Sequence, residues 1–294
     1  MKKHYILIIM GILAVGLTYI ASTNVRKTET LFDIINARPV DVKNSRSKTI
    51  VSIIDSGVDI YNYNDRLLIK GRNIINTEEP PIDKLGHGTI ITDIIFDVVN
   101  EVMIHNEHIK VLPVKVFDDY GNTKDKFIPE GIKWAVDNGA NIINLSIAMK
   151  SVNNDIVEAI EYASQKDVLI VASVGNDGTQ IEGTLLNNLP VIWVGSINKN
   201  RLKSNFSSFG EHLILVALGE DIETSKGITT GTSYSVAQVT AAAAILKSID
   251  NTLTPMEIKN ILQSSAKDLG AKGVDKYYGY GLLDIKNAIK NLEN

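Results

Sequence analysis

Short runs of apolar, mostly β-branched residues recur along the chain, and segments with helical spacing separate several of them. Runs this short without polar alternation are typical of strands that are buried on both faces of a parallel sheet. We predict strands at residues 49–54, 111–117, 142–146, 168–172 and 190–195. Their alternation with helices predicts an α/β fold, in which a mostly parallel sheet carries helices on both faces.

Helix signals lie between and after these strands. The segments 130–138 and 156–164 carry apolar residues at helical intervals, and Thr254-Pro255 opens a further helix because proline is tolerated in a first turn. A last helix is predicted from Asp284 to Leu292. The apolar run 90–99 is compatible with a helix or a strand, and its pattern does not decide between them.

The N-terminus has the pattern of a targeting segment. Lys2 and Lys3 precede an uncharged apolar run from Tyr5 to Ala21. The length of this run falls between a signal-peptide core and the roughly 20 residues that span a bilayer. We expect residues 1–21 to be a signal peptide or an N-terminal membrane anchor, with a buried first helix of a soluble protein as the alternative. The leading lysines predict export of the rest of the chain, to an extracellular or cell-envelope location.

The remaining chain divides into an arm and one domain. Residues 22–46 are polar and mixed in charge, apart from a short amphipathic piece at 31–35, so we expect them to form an arm leading into the domain. Residues 47–294 are predicted to form that domain. The chain has 294 residues and 44% hydrophobic content, which is ample for a core.

Composition excludes several classes of function. The net charge is −4 and the pI is near 5.8, so the chain has no excess of basic residues. This argues against nucleic acid as a partner. The chain has no cysteine, so disulfides and thiolate metal sites are excluded. We expect a monomer that contacts a membrane only if its N-terminal segment is retained.

Four polar residues stand at strand ends or glycine turns. Asp55 and Asn176 follow predicted strands, His87 lies between two glycines, and Ser233 follows Gly231-Thr232 at the mouth of an alanine-rich helix. An acid, a base, an amide donor and a hydroxyl are the groups that nucleophilic catalysis requires. Considered separately, these residues can also have a purely structural role, since Asp-Ser-Gly and Asn-Asp-Gly form turns and Gly-Thr-Ser caps helices.

Taken together, these residues resemble the subtilisin-like serine proteases of the subtilase family. Ile53-Ile54-Asp55-Ser56-Gly57 is similar to the family's aspartate motif, Gly86-His87-Gly88-Thr89 to its histidine motif, and Gly231-Thr232-Ser233 to its serine motif. The order Asp, His, Ser is the one that subtilisin shows. Val174-Gly175-Asn176 resembles the oxyanion segment, and the likeness runs in register from about Ser47 to Ile289.

The resemblance implies a subtilisin-like three-layer fold and a serine endopeptidase with an acyl-enzyme intermediate. It implies that Ser233 is the nucleophile, that His87 is the general base and acid, and that Asp55 orients the imidazole. Asn176 would donate to the oxyanion. The family's polypeptide-binding segments match this chain at Gly121, Ser146, Ile147, Ala148 and Gly175.

Departures from the family predict an altered cleft. The family's cleft strand continues Ser-Leu-Gly-Gly where this chain has Ser146-Ile147-Ala148-Met149, and the side chains added in place of the glycines predict a narrower or reshaped pocket for the residue before the cut. The family's calcium loop is not recognisable between His87 and Lys115, so we expect no metal and no cofactor, although weak calcium sites elsewhere stay open. Alanine at 237 replaces the family's proline and should be tolerated in a first helical turn.

The segment between the apolar run and the domain is shorter than the family's folding propeptide. We therefore hypothesise a protease that matures without self-cleavage, such as a peptidase that removes leader peptides from lantibiotics. Asp118 and Asp119 beside the cleft would then favour basic residues near the cut. The alternatives are a general secreted degradative protease and a catalytically inactive subtilase-fold binding module.

Overall fold

A seven-stranded parallel sheet forms the centre of the computed structural model, which describes residues 29–40, 48–63, 67–104, 106–147, 153–181 and 189–292. Its strands are β1 (Thr49–Asp55), β2 (Arg72–Asn73), β3 (Ile109–Lys115), β4 (Ile142–Leu145), β5 (Leu169–Ser173), β6 (Val191–Ile197) and β7 (Leu215–Leu218). They lie side by side in the order β2-β3-β1-β4-β5-β6-β7. The carboxyl ends of these strands therefore meet at one edge, where open α/β sheets collect their functional groups.

Helices cover both faces of the sheet. They are α1 (Leu31–Ile34), α2 (His87–Val102), α3 (Phe127–Asp137), α4 (Asn154–Gln165), α5 (Thr232–Ile249), α6 (Pro255–Ser265) and α7 (Ile285–Leu292). Helix α2 packs against α5 on one face, and α3 packs against α4 on the other. Helix α5 contacts most strands of the sheet and is buried along nearly its whole length. Its small residues at 241–244 let the helix lie close to the strands.

The α/β fold predicted from the sequence is confirmed. Each predicted strand is present, with bounds that differ by one or two residues at either end. The undecided run 90–99 lies inside helix α2. The sequence did not predict strands β2 and β7, or a small antiparallel hairpin formed by β8 (Ile222–Thr224) and β9 (Gly227–Thr229).

Part of the predicted N-terminal arm packs onto the domain. Ile35 and Ala37 are fully buried, and the carbonyls of Ile35 and Asn36 accept the N–H groups of Ile285 and Lys286. These N–H groups belong to the first turn of α7, where a helix cannot supply its own acceptors. The segment after α1 therefore caps the last helix of the chain.

None of the helices in the described ranges is long and apolar enough to cross a membrane. The predicted targeting segment, residues 1–21, lies outside those ranges, so its role stays a prediction.

We predict that the segment around Ile35 contributes measurably to stability. Ile35→Ala removes a fully buried side chain and should lower the free energy of unfolding by about 2–5 kcal/mol. Ile104→Ala is the matched control, because Ile104 is 75% exposed. Its effect should stay within about 0.5 kcal/mol in the same denaturant titration. Equal effects of the two substitutions would contradict the packing described for this segment.

Candidate active site

Asp55 is the last residue of β1 and one of the most deeply buried charged groups, at 1% exposure. Its carboxylate accepts hydrogen bonds from the Ser56 N–H at 2.7 Å and the Ser56 hydroxyl at 3.1 Å. The Nδ1 atom of His87 lies 2.8 Å and 2.9 Å from the two carboxylate oxygens. Because a carboxylate only accepts, Nδ1 carries the proton and donates. The Nε2 atom of the neutral ring is then an acceptor.

His87 reaches Asp55 because helix α2 begins unusually close to the end of β1. A β-carbon on Gly88 would lie 2.1 Å from the Gly57 carbonyl oxygen and 3.1 Å from the β-carbon of Asp55. No side chain fits there, so glycine is required at residue 88. Gly86 has φ of 95°, a left-handed conformation that glycine adopts without strain.

Asp83 fixes the loop that leads into α2. Its carboxylate accepts from the Gly86 N–H at 2.7 Å, from the Thr89 N–H at 2.9 Å and from the Thr89 hydroxyl at 2.6 Å. The Ser56 hydroxyl has one proton to share between Asp55, at 3.1 Å, and Asp83, at 2.9 Å, and so links the loop to the end of β1. These hydrogen bonds lower the pKa of Asp83 against the opposing effect of burial, which keeps it ionised.

The charges around His87 favour its protonated form. Burial by itself lowers the pKa of His87, but the Asp55 carboxylate, its hydrogen bond and the more distant Asp83 charge outweigh burial and raise this pKa above its ordinary value. A base of this kind becomes neutral only as the pH rises through the raised pKa.

Ser233 lies in the first turn of α5 and is 8% exposed. Its hydroxyl donates to the Ser146 carbonyl at 3.2 Å, and the Ser146 hydroxyl donates to the Asn144 side chain at 2.8 Å. Within the described residues, no hydrogen bond joins the Ser233 hydroxyl to His87. In ligand-free enzymes such contacts are often long and shorten when substrate binds. Rotation of the Ser233 side chain would bring this hydroxyl towards the imidazole.

Asn176 follows β5 and is oriented by Thr232. Its side-chain oxygen accepts from the Thr232 N–H at 3.0 Å and from the Thr232 hydroxyl at 2.8 Å. Two donors on one atom identify that atom as the carbonyl oxygen, so the amide nitrogen points the other way. This nitrogen lies beside Gly231, in the turn that precedes Ser233. The amide is placed to donate to a ligand held at the start of α5.

The predicted substrate-binding residues have different environments. Ser146 follows β4 and Gly175 follows β5, both next to the residues described above. Gly121 lies in a turn beyond β3 and faces Leu85. The Ile147 side chain is buried in the core at 9% exposure, so it does not itself line an open pocket. Ala148 lies outside the described residues, so the predicted reshaping of the pocket stays a prediction.

Asp118 and Asp119 are already engaged by groups of the protein. Asp118 accepts the N–H groups of Tyr120 and Asn122, and the hydrogen bonds from Asn122 lower the pKa of this carboxyl. Asp119 lies between Lys84 at 3.0 Å and Lys115 at 3.1 Å, and these two ammonium groups lower its pKa. The expectation that these aspartates favour basic residues near the cut therefore finds no support in their contacts.

Comparison with known proteins assigns the chain to a family. The model of the Subtilase family matches residues 46–281. The chain belongs to this family. It is a serine endopeptidase of the subtilisin type, with the fold and the order of motifs that the sequence predicted.

Individual relatives are distant but match over most of the chain. Subtilisin DY of Bacillus licheniformis is 28% identical, with 87% of this chain and 96% of the relative covered. Subtilisin E of Bacillus subtilis (strain 168) is 28% identical over 82% of this chain, which covers 66% of that relative. A solved structure described as a lanthipeptide protease superposes with a TM-score of 0.71 at 24% identity, covering 85% of this chain and 90% of that one. This last similarity supports the fold alone.

Several residues of the site were not singled out from the sequence. Asp83 precedes the histidine motif, and Tyr234 follows Ser233 directly. Lys115 ends β3 beside Asp55 in the sheet register, and its ammonium group donates to the Ser56 carbonyl at 2.8 Å. The position of Asp83 just before helix α2 could have indicated it, because most of its hydrogen bonds come from Gly86 and Thr89, which are near it in sequence. Lys115 had no such signal, because Ser56 is far from it in sequence.

Metal ligands were also sought in the described ranges. No group of three or more His, Cys, Asp or Glu side chains there has a geometry that could hold a metal ion.

We predict that Asp83→Asn shifts the pH dependence of activity. Removing this negative charge should lower the pKa of His87, so that the neutral base persists to lower pH. The acidic limb of the kcat/KM profile should move to lower pH, even if the maximum value falls because the loop loses hydrogen bonds. Asp97→Asn, at an exposed position farther along α2, is the control and should leave the limb in place. An unshifted limb in Asp83→Asn would contradict the electrostatic account of His87.

Proposed function

We propose that Ser233, His87 and Asp55 carry out peptide-bond hydrolysis as nucleophile, base and orienting acid. The hydrogen bonds between His87 Nδ1 and both oxygens of Asp55 are the observation that supports this most strongly. They hold Nε2 unprotonated, so that it can take the proton of the Ser233 hydroxyl as Oγ attacks the carbonyl carbon. The same nitrogen then returns this proton to the leaving amine. A water molecule repeats the sequence and releases the acyl group.

We propose that the negative oxygen of the tetrahedral intermediate is bound by Asn176. The Thr232 donors hold the carbonyl side of this amide, so its N–H side is oriented before any substrate arrives. The backbone N–H of Ser233 is a second donor at the start of α5. The unpaired N–H groups of a helix N-terminus favour negative charge at this point.

We further propose that the substrate is an extended polypeptide held between the segments 121–123 and 146–148. Backbone pairing of this kind binds any unfolded peptide, and side-chain pockets provide the selectivity. The Lys84–Asp119–Lys115 contacts would keep the first segment in position, since they connect its loop to the histidine loop and to β3.

We infer a selective processing role, namely removal of leader peptides from ribosomally made antimicrobial peptides. The sequence departure at Ala148 and Met149, where the family has glycines, motivates this proposal, and the similarity in fold to a solved lanthipeptide protease suggests it. Export through the N-terminal apolar segment would place the enzyme outside the cytoplasm. The similarity to secreted subtilisins such as subtilisin DY supports the rival proposal of a general degradative protease.

Asn176→Ala tests the proposed oxyanion donor. We expect kcat to fall by about 10²–10³-fold with little change in KM, because the lost hydrogen bond forms only as charge develops on the oxygen. Asn198→Ala is the control, because Asn198 forms a surface turn and should not affect either constant. A change in kcat of less than about twofold for Asn176→Ala would remove this residue from the mechanism.

A cleavage profile separates the processing role from general degradation. Purified protein is incubated with unstructured casein and with synthetic peptides that span leader–core junctions, and with Ser233→Ala protein as the blank. We expect kcat/KM for the preferred junctions to exceed that for casein sites by about 100-fold, a ratio that side-chain pockets can supply. Equal digestion of casein would refute the processing role and favour the degradative one.

A further inference from the structure

Ser173, the last residue of β5, carries a buried hydroxyl that has no part in the mechanism proposed above. The residue is 2% exposed, and its hydroxyl oxygen accepts the N–H of Gly175 at 3.0 Å. The same oxygen lies 2.7 Å from the hydroxyl oxygen of Thr232, which is completely buried. Ser173 therefore contacts both the loop that carries Asn176 and the helix that carries Ser233.

The number of available protons fixes the direction of each hydrogen bond in this group. The side-chain oxygen of Asn176 can only accept, so the Thr232 hydroxyl donates its one proton to it. Towards Ser173 the Thr232 oxygen can then only accept, and the Ser173 hydroxyl donates. The result is a one-way chain that runs from the Gly175 N–H through the two hydroxyls to the carbonyl oxygen of the Asn176 side chain.

This chain prevents the Asn176 amide from turning over. In the reversed orientation the amide nitrogen would face the N–H of Thr232, so that two donors would meet. The Thr232 hydroxyl could accept from the reversed amide only by donating to Ser173. The proton of Ser173 would then lose the acceptor that it has now, which is costly for a buried hydroxyl. In a buried chain the hydrogen bonds also polarise and strengthen one another.

We propose that Ser173 is a positioning residue for the oxyanion donor. It acts at two points, on the backbone next to Asn176 through the Gly175 N–H and on the Asn176 side chain through Thr232. The amide is thereby held with its N–H side towards the substrate oxygen before any substrate binds. This inference rests on the role proposed above for Asn176 and adds a residue that is buried behind it. Because the negative oxygen develops only in the transition state, this support contributes to kcat and not to KM.

Ser173→Ala tests this proposal, with a peptide anilide whose acylation step limits kcat. We expect kcat to fall by about tenfold with KM unchanged, a smaller loss than the roughly 100-fold or more that removal of an oxyanion donor costs. Ser173→Thr keeps the hydroxyl and should restore most of the lost kcat. Ser265→Ala is the matched control and should leave both constants unchanged, because Ser265 is a buried serine whose hydroxyl donates to the Leu262 carbonyl of its own helix, α6.

A double-mutant cycle separates positioning from a general structural role. In Asn176→Ala protein no amide is left to position, so the addition of Ser173→Ala should change kcat by less than about twofold. An equal loss in both backgrounds would show that Ser173 acts through packing alone and would overturn the proposal. If the alanine variant does not fold, Ser173→Cys takes its place in both backgrounds, because a thiol has nearly the same shape and is a weaker donor.

The two proposals can fail separately. An unchanged kcat in Asn176→Ala alone would refute the role of Asn176, and the inference on Ser173 with it. If Asn176→Ala lowers kcat by about 10²–10³-fold while Ser173→Ala, or Ser173→Cys in its place, changes it by less than about twofold, the inference on Ser173 is overturned and the role of Asn176 stands.

Discussion

The buried carboxylate of Asp55 is the constraint on which the rest of the site depends. A carboxylate with 1% exposure is tolerated only if hydrogen bonds replace the water that it has lost. Ser56 and His87 supply these contacts, and they can do so only because Gly88 lets helix α2 approach the end of β1. The position of the imidazole thus follows from the need to satisfy one carboxylate.

The remaining groups reach the same place through the topology of the sheet. Strands β1, β4 and β5 are parallel neighbours, so the residues that follow them lie side by side although they are far apart in sequence. Asn144 and Ser146 come from β4 and the residue after it, and Asn176 comes from the loop after β5. Helix α5 starts against this edge and adds Thr232, which orients Asn176, together with Ser233. Each group of the site is therefore held by an element of the core, which is the arrangement that precise catalysis requires.

The sequence predicted the parallel sheet because its strands are uninterrupted apolar runs, and it indicated Asp55, His87, Asn176 and Ser233 because each follows a strand or a glycine turn. It did not indicate the β8–β9 hairpin, whose strands are short and mostly exposed. The contact of Lys115 with Ser56 and the packing of Tyr234 against His87 depend on tertiary structure that no local pattern encodes. The preference for basic residues that was predicted from Asp118 and Asp119 stays a prediction, and only the fold reveals that hydrogen bonds and two lysines contact these carboxylates.

The central claim is that the His87 imidazole, held by Asp55, activates the Ser233 hydroxyl. Treatment of the folded protein with a fluorophosphonate, followed by peptide mapping in a mass spectrometer, tests it most directly. We predict a single adduct on Ser233, with labelling that slows as the pH falls through the raised pKa of His87 and that is lost in unfolded protein. Labelling of a different serine, or no labelling of folded protein at any pH, would contradict this account.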